Sequence, residues 1–115
     1  RVGKINMGYW VYMVRCRDST IYTGATADLP RRIREHNVKP GKNNKYTSAR
    51  QPVKLLQAWE VATWSEALRL EAAIKKCNRL KKEKLVADKE EIYRLAELRR
   101  LDITIEPLSA LPDTS

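Results

Sequence analysis

The chain is 115 residues long, which suits one domain with a modest core, and its formal net charge is +9. The charge is uneven, because residues 1–58 carry twelve Lys and Arg against three Asp and Glu, whereas residues 59–115 carry eleven of each. A basic half of this kind favours nucleic acid or an anionic surface as partner, and charge that only aids solubility is the alternative. No apolar run approaches the length of a membrane span, so we expect no membrane partner.

The two cysteines, Cys16 and Cys77, are isolated, with no CxxC pair and no set of histidines near them. Zinc sites and disulfide frameworks need such patterns, so we expect reduced thiols in a cytoplasmic protein. We also expect no small-molecule cofactor. Met7 is a candidate native start, which would make residues 1–6 a remnant added to the native chain. We expect residues 1–8, ahead of the first strand, to be an N-terminal extension or such a remnant.

The first part of the chain predicts a β-hairpin. Residues 9–16 are rich in aromatic and β-branched side chains and apolar on both alternating faces, which is typical of a central strand. Asp18 and Ser19 supply turn chemistry, and residues 20–23 predict a second strand that Gly24 ends.

A helix, a loop and a third strand follow. Asp28 is a suitable N-cap for a helix over residues 29–37, with Pro30 tolerated in its first turn. Residues 38–51 hold Pro, Gly, Asn and Ser and predict a long polar loop, which in a small domain is often functional. Residues 53–61 return to strand composition.

The second half is helical. Thr63 and Glu66 fit a capping box that opens a helix over residues 64–78, and residues 80–87 and 90–101 predict two more helices. We therefore expect an α+β fold with a small three-stranded, mainly antiparallel sheet flanked by helices. The domain would span residues 9–87, with a helical extension and flexible tail over residues 88–115.

Two pairs of residues suggest chemistry, each with a simpler alternative. Arg32 and His36 are spaced i, i+4 on one helix face, which a solvated basic face would also explain. Glu71 lies beside the apolar stripe of its helix, where a carboxylate needs a partner, and Lys75 four residues later could form an ordinary surface ion pair with it.

Tyrosines supply two further signals. Tyr12 and Tyr22 lie on the first two predicted strands, where packing is their usual role. In the polar loop, Tyr46 stands among basic residues, a combination found in proteins that bind phosphate backbones or single strands; the basic residues are Lys42, Lys45 and Arg50.

Together these residues resemble the GIY-YIG nuclease family, and in particular its small stand-alone bacterial members. The resemblance covers residues 9–87 and rests on Tyr12 in WVY, Tyr22 and Gly24 in YTG, Arg32 and His36 in RRIREH, and Glu71 in LEAAIK. It implies an endonuclease that hydrolyses phosphodiester bonds in DNA, such as structured repair or recombination intermediates. It also implies one divalent cation, Mg²⁺ with Mn²⁺ as a substitute, held by Glu71 together with water.

The resemblance also implies roles for the other residues. Tyr12 would be the general base, with its pKa lowered by Arg32, the metal or a protonated His36, and Arg32 would bind the scissile phosphate. Tyr22 would orient the water or the phosphate, and His36 would act as a proton shuttle or as a donor to phosphate. Nucleic-acid contacts are expected at Gly24, where the backbone could approach closely, and at Arg31, Lys42, Lys45, Tyr46, Arg50 and Lys75.

Some positions depart from the family pattern. Trp10 replaces the first motif glycine, and Thr23 stands in the middle of the second motif. Glu83 occupies the position where many members carry an asparagine, and Asn78 is a candidate geometric substitute. The alternatives are therefore a non-catalytic DNA- or RNA-binding module on the same fold, or an adaptor that uses the acidic residues 88–115.

Overall fold

The structure is a computed structural model that describes residues 8–38 and 44–109. Within these described residues the elements are, in chain order, β1 (Tyr9–Arg15), β2 (Ile21–Thr26), α1 (Leu29–His36), α2 (Lys45–Ser48), β3 (Lys54–Val61), α3 (Trp64–Lys75), α4 (Arg79–Ala87), α5 (Glu91–Leu98) and β4 (Glu106–Pro107). The predicted α+β class is confirmed. The sheet, however, has four strands in the order β2-β1-β3-β4, with each neighbouring pair antiparallel, so the predicted number of three is wrong.

The central strand β1 separates two cores. Val11 and Met13 face one side of the sheet, Tyr12 and Val14 face the other, and all four are fully buried. On the first side α3, α4 and α5 bury a large apolar cluster, whose members include Trp59, Leu70, Ile74, Leu85, Ile92 and Leu95. On the second side α1 covers a smaller cluster, formed by Tyr12, Val14, Cys16, Leu29, Val53, Leu55 and Ala58.

Side-chain caps fix the helix starts as predicted. The Asp28 side chain accepts a hydrogen bond from the backbone N–H of Arg31, and Thr63 with Glu66 forms the complete capping box of α3. Helix α3 ends at Lys75 rather than continuing to residue 78, because Asn78 instead caps α4.

Two segments differ from expectation in ways that shape the site. Strand β2 continues to Thr26, so the prediction that Gly24 ends it is wrong. The predicted loop contains the short helix α2, and amide side chains tie this region to the end of α1. Asn44 donates to the carbonyl of Glu35 at 2.9 Å, and Gln51 donates to the carbonyl of His36 at 2.8 Å.

The C-terminal segment packs onto the domain. The apolar spacing of Ile92, Leu95, Ala96 and Leu98 in the sequence predicts that these residues pack against the domain. The first three are buried, whereas Leu98 is 72% exposed, so the prediction is wrong for Leu98. Strand β4 pairs with β3, and buried Glu91 is matched by three cations, Lys81, Lys84 and Arg94. Within residues 8–38 and 44–109, no helix has the length and apolarity needed to cross a membrane.

Candidate active site

Tyr12 is the centre of the candidate site. It points from the middle of β1 toward α1 and is fully buried. Its hydroxyl lies 2.7 Å from Nε2 of His36 and is hydrogen-bonded to the side chain of Arg32. Helix α1 therefore places both Arg32 and His36 against Tyr12. The alternative that this i, i+4 pair is only a solvated basic face is wrong.

Gly24 makes room for this tyrosine. It lies opposite Tyr12 in the β1–β2 register, and a Cβ atom built on it would be 2.4 Å from the Tyr12 hydroxyl oxygen. A side chain at this position would push the tyrosine away. The expected close approach is thus by the Tyr12 ring, inside the protein, and Gly24 is itself buried rather than open to nucleic acid.

Tyr22 joins the same cluster from the edge strand β2. Its ring lies 6.5 Å from that of Tyr12 and edge-on to that of His36 at 5.3 Å, measured between ring centroids. Because Tyr22 is only half-buried, it forms the boundary between the buried Tyr12–His36 pair and solvent.

His36 is held on both ring nitrogens. Nε2 lies 2.7 Å from Tyr12, and Nδ1 lies 2.7 Å from Oγ1 of Thr47, a fully buried residue of α2. Burial, with a smaller effect of Arg32, lowers the pKa of His36 to about 4 although Glu35 opposes the change. His36 is therefore neutral near pH 7, which speaks against a protonated His36 as the source of positive charge beside Tyr12 and against a direct contact with phosphate.

The Tyr12 hydroxyl is a weak acid in this environment. Burial raises the pKa of Tyr12 above its ordinary value, and Tyr22 and Glu71 add to the rise, while the charge and hydrogen bond of Arg32 act in the opposite direction. Tyr12 is therefore a neutral phenol, and any role as a proton acceptor requires that its own proton leave at the same time.

Arg32 stands between Tyr12 and an open pocket. One of its guanidinium nitrogens donates to Oε1 of Glu35 at 3.0 Å, and Arg31 donates to Oε2 of the same carboxylate at 3.2 Å. These donors, Arg32 first, lower the pKa of Glu35. The pocket has a volume of about 270 Å³ and is lined by Thr26, Ala27, Asp28, Arg31, Arg32 and Glu35.

Glu71 approaches from the other side, on α3. Its carboxylate is near enough to contribute to the raised pKa of Tyr12, and it pairs with Lys75 at 3.3 Å, as the simpler reading of the sequence predicts. The Lys75 ammonium in turn lies 6.0 Å from the Tyr22 ring centroid. No group of three or more His, Cys, Asp or Glu that could enclose a metal occurs in the described part of the chain.

The basic loop contacts the tyrosine cluster. The Tyr46 ring stacks on Tyr22 with centroids 5.4 Å apart, and the Arg50 guanidinium lies 4.1 Å from the Tyr46 centroid. Arg50 also pairs with Asp18 at 3.1 Å, and Lys45 is exposed at the start of α2. The Tyr46 ring already has two partners, so it is less open to stack on a base than its sequence context implied; Lys42 lies outside the described residues.

Two site residues escaped prediction. Thr47 bonds to His36 from a segment predicted as loop, and nothing in the sequence indicates that contact. Glu35 had a detectable signal, since it stands i+4 from Arg31 and i+3 from Arg32, the spacing of helical ion pairs.

Three of the positions noted against the family pattern, Glu83, Asn78 and Trp10, make structural contacts in the fold. Glu83 forms a double hydrogen bond with Arg15, with donor–acceptor distances of 2.7 and 3.1 Å, and also pairs with Arg79. The Asn78 side chain caps α4 by accepting a hydrogen bond from the backbone N–H of Lys81, so it is not the substitute for the family asparagine that the sequence suggested. Trp10 packs against the smaller core.

Tyrosines on two adjacent antiparallel strands, an arginine on the next helix and a glutamate on a later helix form the arrangement on which the resemblance to the GIY-YIG class rests. The model of the GIY-YIG catalytic domain matches residues 8–84. The chain therefore belongs to the GIY-YIG family.

Its relatives are small proteins. The UPF0213 protein BH0048 of Halalkalibacterium halodurans is 42% identical over 81 residues, which are 70% of this chain and 84% of the relative. The UPF0213 protein YazA of Bacillus subtilis is 41% identical over 81 residues, covering 70% and 80% of the two chains. A solution NMR structure of the UPF0213 protein BH0048 from Bacillus halodurans matches with 38% identity, a TM-score of 0.47, and coverage of 84% of this chain and 98% of that chain.

Proposed function

We propose that this chain is an endonuclease that hydrolyses phosphodiester bonds in DNA with the help of one divalent cation. The observation that carries the proposal is the convergence of Tyr12, Tyr22, His36 and Arg32 on one point, with the Glu71 carboxylate near enough to affect the pKa of Tyr12. Residues from two strands and two helices meet there, although they are spread over sixty residues of sequence.

Arg32 is the phosphate ligand in this proposal. Its planar guanidinium can offer two parallel N–H donors to a phosphate, and its charge stabilises the negative charge that grows in the transition state. Glu35 now holds one of those nitrogens, so a phosphate entering the pocket competes with the Glu35 carboxylate. Arg31, 69% exposed at its side chain, provides a second cation at the mouth of that pocket.

Tyr12 and His36 act together as the base. The Tyr12 oxygen accepts a proton from the attacking water while its own proton passes to Nε2 of neutral His36. The resulting hydroxide forms the new bond to phosphorus as the bond to the leaving oxygen breaks. This coupling avoids a free tyrosinate, which the raised pKa of Tyr12 disfavours.

Glu71 is the residue that fits a metal. One carboxylate oxygen plus waters and substrate phosphate is a donor set that Mg²⁺ accepts, because Mg²⁺ loses its waters reluctantly. When bound, the cation would neutralise charge on the phosphate and the leaving oxygen. Lys75 must release Glu71 for this to happen, and it can then contact the nucleic-acid backbone. Mn²⁺, which has similar preferences for oxygen, should substitute.

The partner is nucleic acid, with DNA proposed first and structured repair or recombination intermediates as the class to test. Tyr46 stacks on Tyr22, Arg50 lies over the Tyr46 ring, and exposed Lys45 precedes Tyr46 in α2, so this segment provides cations on the Tyr22 side of the cluster. Cys16 and Cys77 are free thiols, which is compatible with a reducing compartment, and we place the activity in the cytoplasm.

The direct test is cleavage of labelled flap, forked, single-stranded and duplex DNA, with matching RNA strands, in Mg²⁺ or Mn²⁺. We expect cleavage of at least one DNA form, and a loss of about 100-fold or more in Glu71→Gln and in Arg32→Lys. Exposed residues provide matched controls, Glu97→Gln and Arg34→Lys, which should cleave like the wild type. Cleavage that persists in both site variants would refute the proposed site.

A second candidate is a nucleic-acid-binding module that does not cleave. It is favoured by Glu83, which occupies the family asparagine position and is engaged with Arg15 and Arg79. This module would bind nucleic acid in a strongly salt-dependent manner, because neutralised phosphates release counterions. Binding that weakens in Lys45→Ala with Arg50→Ala, together with no metal-dependent cleavage of any substrate above, would favour it over the enzyme.

A further inference from the structure

We propose that Thr47 is a positioning residue that fixes the tautomer of His36, so that Nδ1 carries the ring proton and Nε2 is left to accept the proton of Tyr12. This inference rests on the proposed function where it concerns catalysis, but its structural part stands without it. It follows from counting which atoms in this buried chain of hydrogen bonds can donate and which can accept.

The first step concerns Tyr12. The Arg32 guanidinium has only N–H donors, so the Tyr12 oxygen must accept from it. The hydroxyl proton then needs an acceptor elsewhere, and His36 Nε2, at 2.7 Å, is the acceptor found within the described residues. That bond forms only if Nε2 carries no proton.

The second step concerns Thr47. Its Oγ1 lies 2.7 Å from His36 Nδ1 and 3.4 Å from the backbone carbonyl oxygen of Asn44. A carbonyl can only accept, so a Thr47 hydroxyl that donates to Asn44 must itself accept from Nδ1–H. In this arrangement the protons of Tyr12, His36 and Thr47 each have an acceptor.

The opposite arrangement is less favourable. If Thr47 donated to Nδ1, Nε2 would carry the proton and donate to the Tyr12 oxygen, which would then accept from both His36 and Arg32. The Tyr12 hydroxyl proton would be left without an acceptor in a fully buried position, and burying an unpaired polar group is costly. The geometry therefore selects the Nδ1–H tautomer.

Short tethers keep Thr47 in place. Asn44 is buried at the start of α2, and its side chain donates to the carbonyls of Glu35 and Val38. Helix α2 is thereby attached to the end of α1, the helix that carries His36. These contacts hold the threonine against the histidine, although eleven residues separate them along the chain.

The experiment uses the fact that His36 is the only histidine of the chain. Protein labelled with ¹⁵N-histidine gives one pair of ring nitrogen signals, and their positions distinguish a protonated from an unprotonated nitrogen. We expect Nδ1–H in the wild type and in Thr47→Ser. Thr47→Val keeps the shape but removes the hydroxyl that accepts from Nδ1–H. The Nδ1–H tautomer then also has an unpaired proton, so we expect the ring to shift to the Nε2–H tautomer or to a mixture.

Thr23→Val is the matched control, because Thr23 is also a buried threonine but lies opposite Met13 in the β1–β2 register, on the other face of the sheet. It should leave both ring signals unchanged. A wild-type Nε2–H tautomer, or an Nδ1–H tautomer that persists in Thr47→Val, would overturn the inference.

Kinetics separate this inference from the proposed function. If the chain cleaves DNA, Thr47→Val should lower kcat about tenfold or more with KM nearly unchanged, and Thr47→Ser should restore most of it. Wild-type kcat in a Thr47→Val variant whose tautomer has changed would also overturn the positioning role. If no substrate is cleaved, the NMR result still decides the tautomer, and only the proposed function fails.

Discussion

The two faces of the sheet differ in what they bury, although the same strands build both. On the face covered by α3, α4 and α5, which we call the helical face, β1 presents Val11 and Met13 to an apolar core. On the face covered by α1, the neighbouring Tyr12 enters a chain of polar contacts with His36 and Thr47. We infer that the helical face supplies most of the folding free energy, while the α1 face spends part of it to hold polar groups in one arrangement.

The largest expected effect tests the helical face. Leu70 on α3 is fully buried in the apolar core, so Leu70→Ala should lower the free energy of unfolding by about 3 kcal/mol, measured by urea denaturation. Leu98→Ala, a control at a site that is 72% exposed, should change it by less than about 0.5 kcal/mol. Equal losses in the two variants would mean that this core does not dominate stability.

The next effect tests the α1 face through pH. Because the folded pKa of His36 is about 4 and the unfolded value is 6.5, acidification protonates the unfolded chain first. Stability is therefore fully present above pH ~6.5 and is lost as the pH falls toward about 4. Between pH ~7 and ~5 the loss should be about 2 kcal/mol, measured by denaturation at each pH.

His36→Gln is the control for this pH dependence. It removes the titrating group, so its free energy of unfolding should be nearly flat over the same range, even though it starts lower. The charged and titratable groups that act on His36 or share its ring cluster are Tyr12, Tyr22, Arg32 and Glu35. Parallel losses in the wild type and His36→Gln would assign the pH dependence to other groups.

A smaller effect tests the fit between the strands. In Gly24→Ala the added methyl would meet the Tyr12 hydroxyl, so Tyr12 must shift within a closed core. We expect a loss of about 1–2 kcal/mol and altered ring signals of His36 in NMR spectra. Ala25→Ser adds one atom at the neighbouring half-buried residue and should change neither quantity much. Unchanged His36 signals in Gly24→Ala would show that Tyr12 and His36 are not coupled as described.

Local signals made much of this fold predictable. The aromatic and β-branched composition of β1, the Asp28 cap and the capping box at Thr63 each depend on residues close in sequence, and all three elements appear as expected. The candidate site residues came from a motif resemblance. The structure places Tyr12, Tyr22, Arg32 and His36 in one cluster, and the Glu71 carboxylate is near enough to act on the pKa of Tyr12.

The features that were missed depend on distant contacts. Strand β4 has only two residues and is formed by pairing with β3, about fifty residues earlier. A segment this short has no apolar periodicity from which a strand could be predicted. Thr47 reaches His36 only because α2 folds against α1, inside a segment whose composition indicates a loop. The sequence predicts that Gly24 ends the strand because glycine weakens a strand interior. In the structure Gly24 lies inside β2 and leaves room for the Tyr12 ring on the neighbouring strand.

The smallest effect compares one threonine on each face. Thr23 lies on the helical face, and its hydroxyl is buried with no hydrogen-bond partner among the described residues. Replacing it with valine removes an unpaired polar group and should raise the free energy of unfolding by about 1 kcal/mol. Thr47→Val should lower it, because the hydroxyl lost there is bonded to His36. Urea denaturation of the two variants gives the comparison directly. If Thr23→Val also lowers stability, polar contacts contribute on both faces, and the difference between them is one of degree.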